Sequence, residues 1–271
     1  MRRHAVQVVS DRRAGPERPG APGLWNRPRV RHRIGALFLF ITALLAPVVP
    51  TMAGDRALID YIGFSQDFRY FAFEEFGIQD GSGFAYANLY VIDLSTDAWV
   101  VGTPVRIRAD SEERSLSDVR AEAKERASSH IDGFGINVPV EIAALIGDGV
   151  PDTDARELVF GAPAYLPGMV SGNYRLHLST FPATAASPCG DWFDREPLGY
   201  SLSLSDSGVD RLVHRDMNLP RSRGCPFDYR IHSVVMPFMG ATLSNAVAII
   251  SVYPGGFEGP DRRFLAVPLG L

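Results

Sequence analysis

From Leu58 onward the chain alternates short apolar runs with clusters of Gly, Pro, Asp and Ser. YFAFEEF, residues 70 to 76, has a period of two. Tyr70, Ala72 and Glu74 share one face, and Phe71, Phe73 and Glu75 share the other, as in a strand. LIDYIGF precedes it, with SQDFR as the turn between. GIQDGSG follows as a loop, where Gly81 and Gly83 supply permissive backbone. ANLYVIDL then reads as the returning strand, followed by the turn STDA and a strand in WVVGTPVRI.

One segment changes period. SLSDVRAEAKERASSHI, Ser115 to Ile131, places Leu116, Val119, Ala123 and Ala127 on one thin stripe and predicts a helix lying on a sheet. Ser115 is its expected N-cap, with Asp118 three residues on. Beyond it short β-like runs alternate with Gly, Pro and Asp: RELVFGAP, YRLHLSTF, GYSLSLSD, DRLVHRDM, DYRIHSVVMPF, NAVAIISVY and RRFLAVPL. Strands at roughly ten-residue spacing with turn residues between them predict a mainly β, antiparallel protein. The expected form is a two-sheet sandwich-like single domain over 54–271 with one surface helix. A propeller-like sheet is the alternative.

Residues 1 to 53 follow a different pattern. Residues 1 to 33 hold nine Arg and two acidic residues, and Ile34 to Leu45 is an apolar run of 12. A membrane-spanning helix needs about 20 apolar residues. With Thr51 and Ala53 small, the segment reads as a basic extension and a signal peptide cleaved after Ala53. An uncleaved anchor is the rival. The chain has 26 Arg and one Lys, which suggests a GC-rich coding sequence and a start at Val30. N-terminal sequencing of the precursor tests this, and peptides from residues 1 to 29 would sink it.

Removing 1–53 changes the charge. The remaining 218 residues hold 18 basic against 29 acidic residues, a net charge of −11. An acidic body argues against nucleic acid and anionic lipid as partners. After cleavage no stable membrane anchor is expected. Cys189 and Cys225 are the only cysteines, and in an exported chain two cysteines favour one disulfide.

GFSQDFRYFAF, YVIDL and a Trp strand resemble a blade of TolB-type propellers, over about 40 residues. GFEGPDRRFLAV echoes the first of these near the other end of the chain, which suggests a second, related hairpin adjacent in space. Across the chain after residue 53, the block from Asp55 to Val100, RSRGCPFDYRI and GFEGPDRRFLAVP together resemble domain of unknown function 2259, a family of predicted secreted bacterial proteins. That resemblance implies export, assigns no activity and transfers no catalytic residues.

No GxSxG elbow, HExxH, P-loop, CxxC pair or dinucleotide fingerprint is present. Glu74 and Glu75 point to opposite faces, so they are not the facing pair of a glycosidase. Glu74 has Asp80 or Asp67 as possible partners, and solvated edge charges or counter-ions for Arg69 are the plainer reading. Asp148, Asp152, Asp154 and Glu157 are the candidate calcium ligands. His130, His177, His214 and His232 are scattered, whereas zinc needs convergent ligands. Arg262 and Arg263, beside Glu258 and Asp261, are candidates to grip a carboxylate or phosphate; neutralisation within the turn is the structural alternative. Phe84 and Tyr86, with Phe76, are candidate partner anchors on an exposed loop.

The expectation is a non-catalytic binding or interaction module of the envelope or periplasm, with an envelope protein or a small ligand as partner. A periplasmic hydrolase using scattered carboxylates and histidines is second, recognisable by a pocket that gathers them. A calcium-stabilised structural protein is third. No cofactor is expected otherwise.

Overall fold

The computed structural model describes residues 54–147, 154–166 and 168–270. The expected signal peptide and its cleavage point lie outside them. Among the described residues no helix is long and apolar enough to cross a membrane.

The strands form three antiparallel sheets. The first holds β1 (Leu58–Ser65), β2 (Tyr70–Ile78), β3 (Ala85–Asp93), β4 (Ala98–Trp99), β5 (Val105–Arg108) and β6 (Ile136–Val138). The middle sheet holds β7 (Val140–Leu145), β12 (Pro226–Pro237), β13 (Val247–Pro254) and β14 (Arg263–Pro268), in the order β14-β13-β12-β7. The third holds β8 (Glu157–Pro163), β9 (Val170–Pro182), β10 (Leu198–Asp206) and β11 (Val209–Arg215), in the order β11-β10-β9-β8.

The mainly β, antiparallel expectation holds, with three sheets. The propeller alternative does not: Arg69–Leu94 forms one hairpin inside the first sheet. The sheets stack because the middle one is apolar on both faces. Val234, Met236, Ala248 and Ile250 pack against Leu176, Leu178, Leu202 and Leu204 of the third sheet. Their neighbours Val235, Val247 and Ile249 pack against Phe64, Phe71 and Phe73 of the first. This explains why VVMP and VAII read as unbroken apolar runs: a strand buried on both faces loses its polar alternation.

Helix α1 (Leu116–Gly133) covers the outer face of the first sheet. Ser115 Oγ accepts from the Asp118 N–H at 3.2 Å, the expected cap. Val119, Ala123 and Ala127 are fully buried over Ala72, Ala85, Ala87 and Leu89. Small residues on both surfaces bring helix and sheet close.

The second helix, α2 (Cys189–Phe193), is a short turn. Its first residue forms the expected disulfide with Cys225, Cα–Cα 5.5 Å, tying the β9–β10 connection to the start of β12. Strands β6 and β7 answer to no run in the sequence reading. They arise from INVPVEIAAL, where Pro139 interrupts the pattern.

Candidate functional site

The middle sheet ends at β14, and the outer sheets meet beyond it. Asp97, in the turn between β3 and β4, reaches His214 of β11 at 3.8 Å. Behind this contact lies a cleft of about 650 Å³ with β14 as its floor, lined by Arg263 to Val267. That volume falls within the range of small-molecule and peptide sites. The first sheet supplies one wall, including Tyr90, Trp99 and Arg106; Tyr200, His214 and Arg223 form the other.

A buried charge network stands at the β2 side of the cleft. Arg263 Nη2 meets Asp55 Oδ2 at 2.7 Å and Asp261 Oδ2 at 3.4 Å. Its Nη1 donates to the Tyr86 hydroxyl at 3.1 Å, and that hydroxyl donates to Asp55 Oδ1 at 3.0 Å. Glu75 is fully buried beside them. Its Oε2 accepts from the Phe264 N–H at 2.9 Å and its Oε1 from Asn88 Nδ2 at 3.1 Å, with Arg263 Nε 3.8 Å away. Burial pushes the Glu75 carboxyl up, against the pull of Arg263, the Phe264 N–H and Asn88. Removing a single member would leave a buried polar group unpaired, which is costly.

A second network stands at the β11 side. His214 Nε2 lies 3.1 Å from Asp216 Oδ1, and Arg223 Nη1 lies 3.3 Å from Asp216 Oδ2. The Tyr200 N–H donates to Asp216 Oδ2 at 3.0 Å. His214 stacks on the Tyr200 ring, centroids 4.7 Å apart. Burial alone would lower the His214 pKa, but Asp216 and Asp97 overcome it and raise it to about 9. His214 is therefore an imidazolium at neutral pH. The Asp216 carboxyl would be raised by burial, yet His214 and Arg223 hold it below its ordinary value.

An aromatic stack continues the first-sheet wall. Phe73 stacks on Tyr90 with centroids at 4.7 Å, and Tyr90 meets Trp99 edge-on at 5.6 Å. Trp99 is 43% exposed. Arg106 is exposed, lies 5.8 Å from the Trp99 ring, and has no ion-pair partner among the described residues.

The sequence candidates divide. Arg263, Asp261 and Tyr86 belong to the first network. Arg262 does not join Arg263 in a clamp. Adjacent strand residues point apart, so Arg262 is buried with Nε donating to the Ala57 carbonyl at 2.9 Å. Glu258 is exposed, its N–H donating to Asp80 Oδ2 at 3.2 Å. Tyr86 sits buried within β3, not on an exposed loop, and Phe84 packs partly buried near α1. Glu74 and Glu75 are not solvated edge charges: both are fully buried. Glu74 pairs with Arg120 at 2.7 Å under α1, while Arg69 pairs with Asp93 at 2.6 Å.

Asp148 and Asp152 lie outside the described residues. Asp154 Oδ1 accepts from the Arg156 N–H, and Glu157 faces Arg175 and His177. Among the described residues no three His, Cys, Asp or Glu side chains gather as a metal site. The sequence reading missed the meeting of Asp97, His214, Asp216 and Arg223. Its one local signal was His214 and Asp216 two apart at the end of β11. The echo of GFSQDFRYFAF in GFEGPDRRFLAV does join neighbours: Phe64, Phe71 and Phe73 pack with Phe264.

Fold and cleft define a class: a three-sheet β protein with a charged cleft at the edge of its middle sheet. The model of the DUF2259 family, described as a predicted secreted protein, matches residues 72–269, and the chain belongs to that family. No curated protein matches it. No solved structure matches it either.

Proposed function

We propose that this is an exported binding module of the bacterial envelope, without catalysis, whose ligand enters the cleft over β14. The observation that carries the reading is the cleft itself. It combines an exposed aromatic, an exposed unpaired arginine and rigid buried charge networks on a fixed frame. Fixed polar groups and aromatic side chains in one concavity suit recognition. Membership of a family of predicted secreted proteins supports export. The signal peptide ending at Ala53 and a periplasmic destination complete the proposal.

The hydrolase reading has one observation in its favour, since Glu75, Asp97, Asp261 and His214 all line the cleft. Binding fits better because these groups are already engaged. Both Glu75 oxygens accept hydrogen bonds, His214 lies between Asp216 and Asp97, and Asp261 faces Arg263. Turnover of ester, peptide or glycoside substrates that disappears in His214→Asn would reverse this preference.

The test is site-specific photo-crosslinking in the native organism. A photoreactive residue at Arg106 is expected to give discrete adducts, and one at Glu125, on the exposed face of α1, none. Identical adducts from both positions, or none from either, would overturn the reading.

A further inference from the structure

We propose that the cleft receives an extended, acidic peptide segment of a partner protein, which adds to the free edge of β14 as a fifth strand of the middle sheet. This deepens the binding reading and rests on it. The register of β14 carries the inference. The Leu269 N–H donates to the Ala246 carbonyl at 2.8 Å, so alternation turns residues 263, 265 and 267 toward β13 and residues 264, 266 and 268 outward. The Phe264 N–H is taken by Glu75, and Pro268 has no N–H. The Ala266 N–H and the Phe264 and Ala266 carbonyls then face the cleft as a strand template.

The chain itself already pairs with this edge. Residues 55–57 run parallel to the start of β14 through an Arg56–Arg262 bridge, and the Arg262 N–H donates to the Asp55 carbonyl at 2.7 Å. At Leu58 the chain enters β1 of the first sheet, and the cleft continues the line it leaves. A strand there would alternate side chains toward Tyr90, Trp99 and Arg106 on one wall and Tyr200, His214 and Arg223 on the other.

Charge selects the peptide. Glu75, Asp97, Asp216 and Asp261 each face a cationic partner. Arg106 has no opposite charge, and a carboxylate side chain on the peptide supplies one. Pro268 and the inward Glu75 also blunt an edge against aggregation, so the experiment must separate recognition from protection.

A library of random eight-residue peptides is displayed against the exported protein. The expected result is enrichment of β-prone sequences with Asp or Glu at one fixed position. Ala266→Pro removes the outward N–H and no β13 bond, and is expected to weaken the enriched peptide about tenfold. Arg106→Glu should weaken it similarly and shift selection toward basic peptides. If Ala266→Pro misfolds by circular dichroism, a peptide ester lacking the N–H opposite the Ala266 carbonyl replaces it, with the same expected loss. Peptide binding indifferent to both changes would overturn strand addition and leave the cleft as a binding site. So would small ligands that quench Trp99 equally in wild type and Ala266→Pro. Self-association abolished by Ala266→Pro would overturn the partner in favour of a second copy of this chain. Absence of any ligand sensitive to Trp99→Ala would remove the binding reading as well.

Discussion

The two faces of the middle sheet are built from different chemistry. Against the third sheet the interface is mostly aliphatic, with Leu176, Leu178, Leu202 and Leu204 meeting Val234, Met236, Ala248 and Ile250, until Tyr200 and Tyr229 meet at 4.7 Å beside Arg223 and Asp216. Against the first sheet it is aromatic, and at β14 it gives way to Glu75, Arg263, Asp55 and Tyr86. An aliphatic interface can only stabilise. Buried charges cost desolvation energy that apolar packing would not, and two such networks flank β14, where the proposed ligand would bind.

Breaking the aliphatic side should have the largest effect. Leu202 is fully buried, and Leu202→Ala is expected to lose about 2–5 kcal/mol in urea unfolding. Affinity per folded molecule should not change. Replacing Cys189 and Cys225 by Ala frees a long loop and should cost about 3–4 kcal/mol in the chain-entropy account. It also loosens Arg223 and Gly224, the end of the cleft beside Cys225, so here stability and binding should fall together.

The charged side should respond to pH. His214 has its pKa raised from 6.5 to about 9 by Asp216 and Asp97, against burial. A raised folded-state value gives stability that is complete below pH 6.5 and lost as pH rises through 9. His232 lies between the sheets, edge-on to Phe264 at 5.1 Å, and burial lowers its pKa from 6.5 to about 4. It stabilises fully above pH 6.5, and that share is lost as pH falls toward 4. Together they place maximal stability near pH 6.5, each contributing at most about 3 kcal/mol. Unfolding free energies from pH 4 to 9 check this. His214→Gln should flatten the alkaline limb alone. The smallest effect on folding belongs to the cleft surface: Arg106→Ala should change stability by within about 0.5 kcal/mol while weakening the ligand.

Much of the frame was legible because local rules and packing agree. The Ser115 cap, the Val119–Ala123–Ala127 stripe and the β2–β3 hairpin lie close to where sequence periodicity puts them. The third layer was hidden in plain view. Unbroken apolar runs in β12 and β13 mark strands buried on both faces, a signal that alternation alone does not distinguish from a half-buried strand. The site was less legible for two reasons. Neighbours such as Glu74 and Glu75, or Arg262 and Arg263, separate onto opposite sides of a strand. Partners such as Asp97 and His214 meet only when two sheets close over a third.

The central claim is that β14 offers an open strand edge inside the cleft, and residue-resolved amide hydrogen exchange tests it most directly. The Ala266 amide should exchange far faster than those of Leu265 and Val267, which face β13. Phe264 should be protected in the wild type and exposed in Glu75→Ala. Binding of a cleft peptide should then slow Ala266 selectively. An Ala266 amide as protected as its neighbours in the free protein would contradict the account.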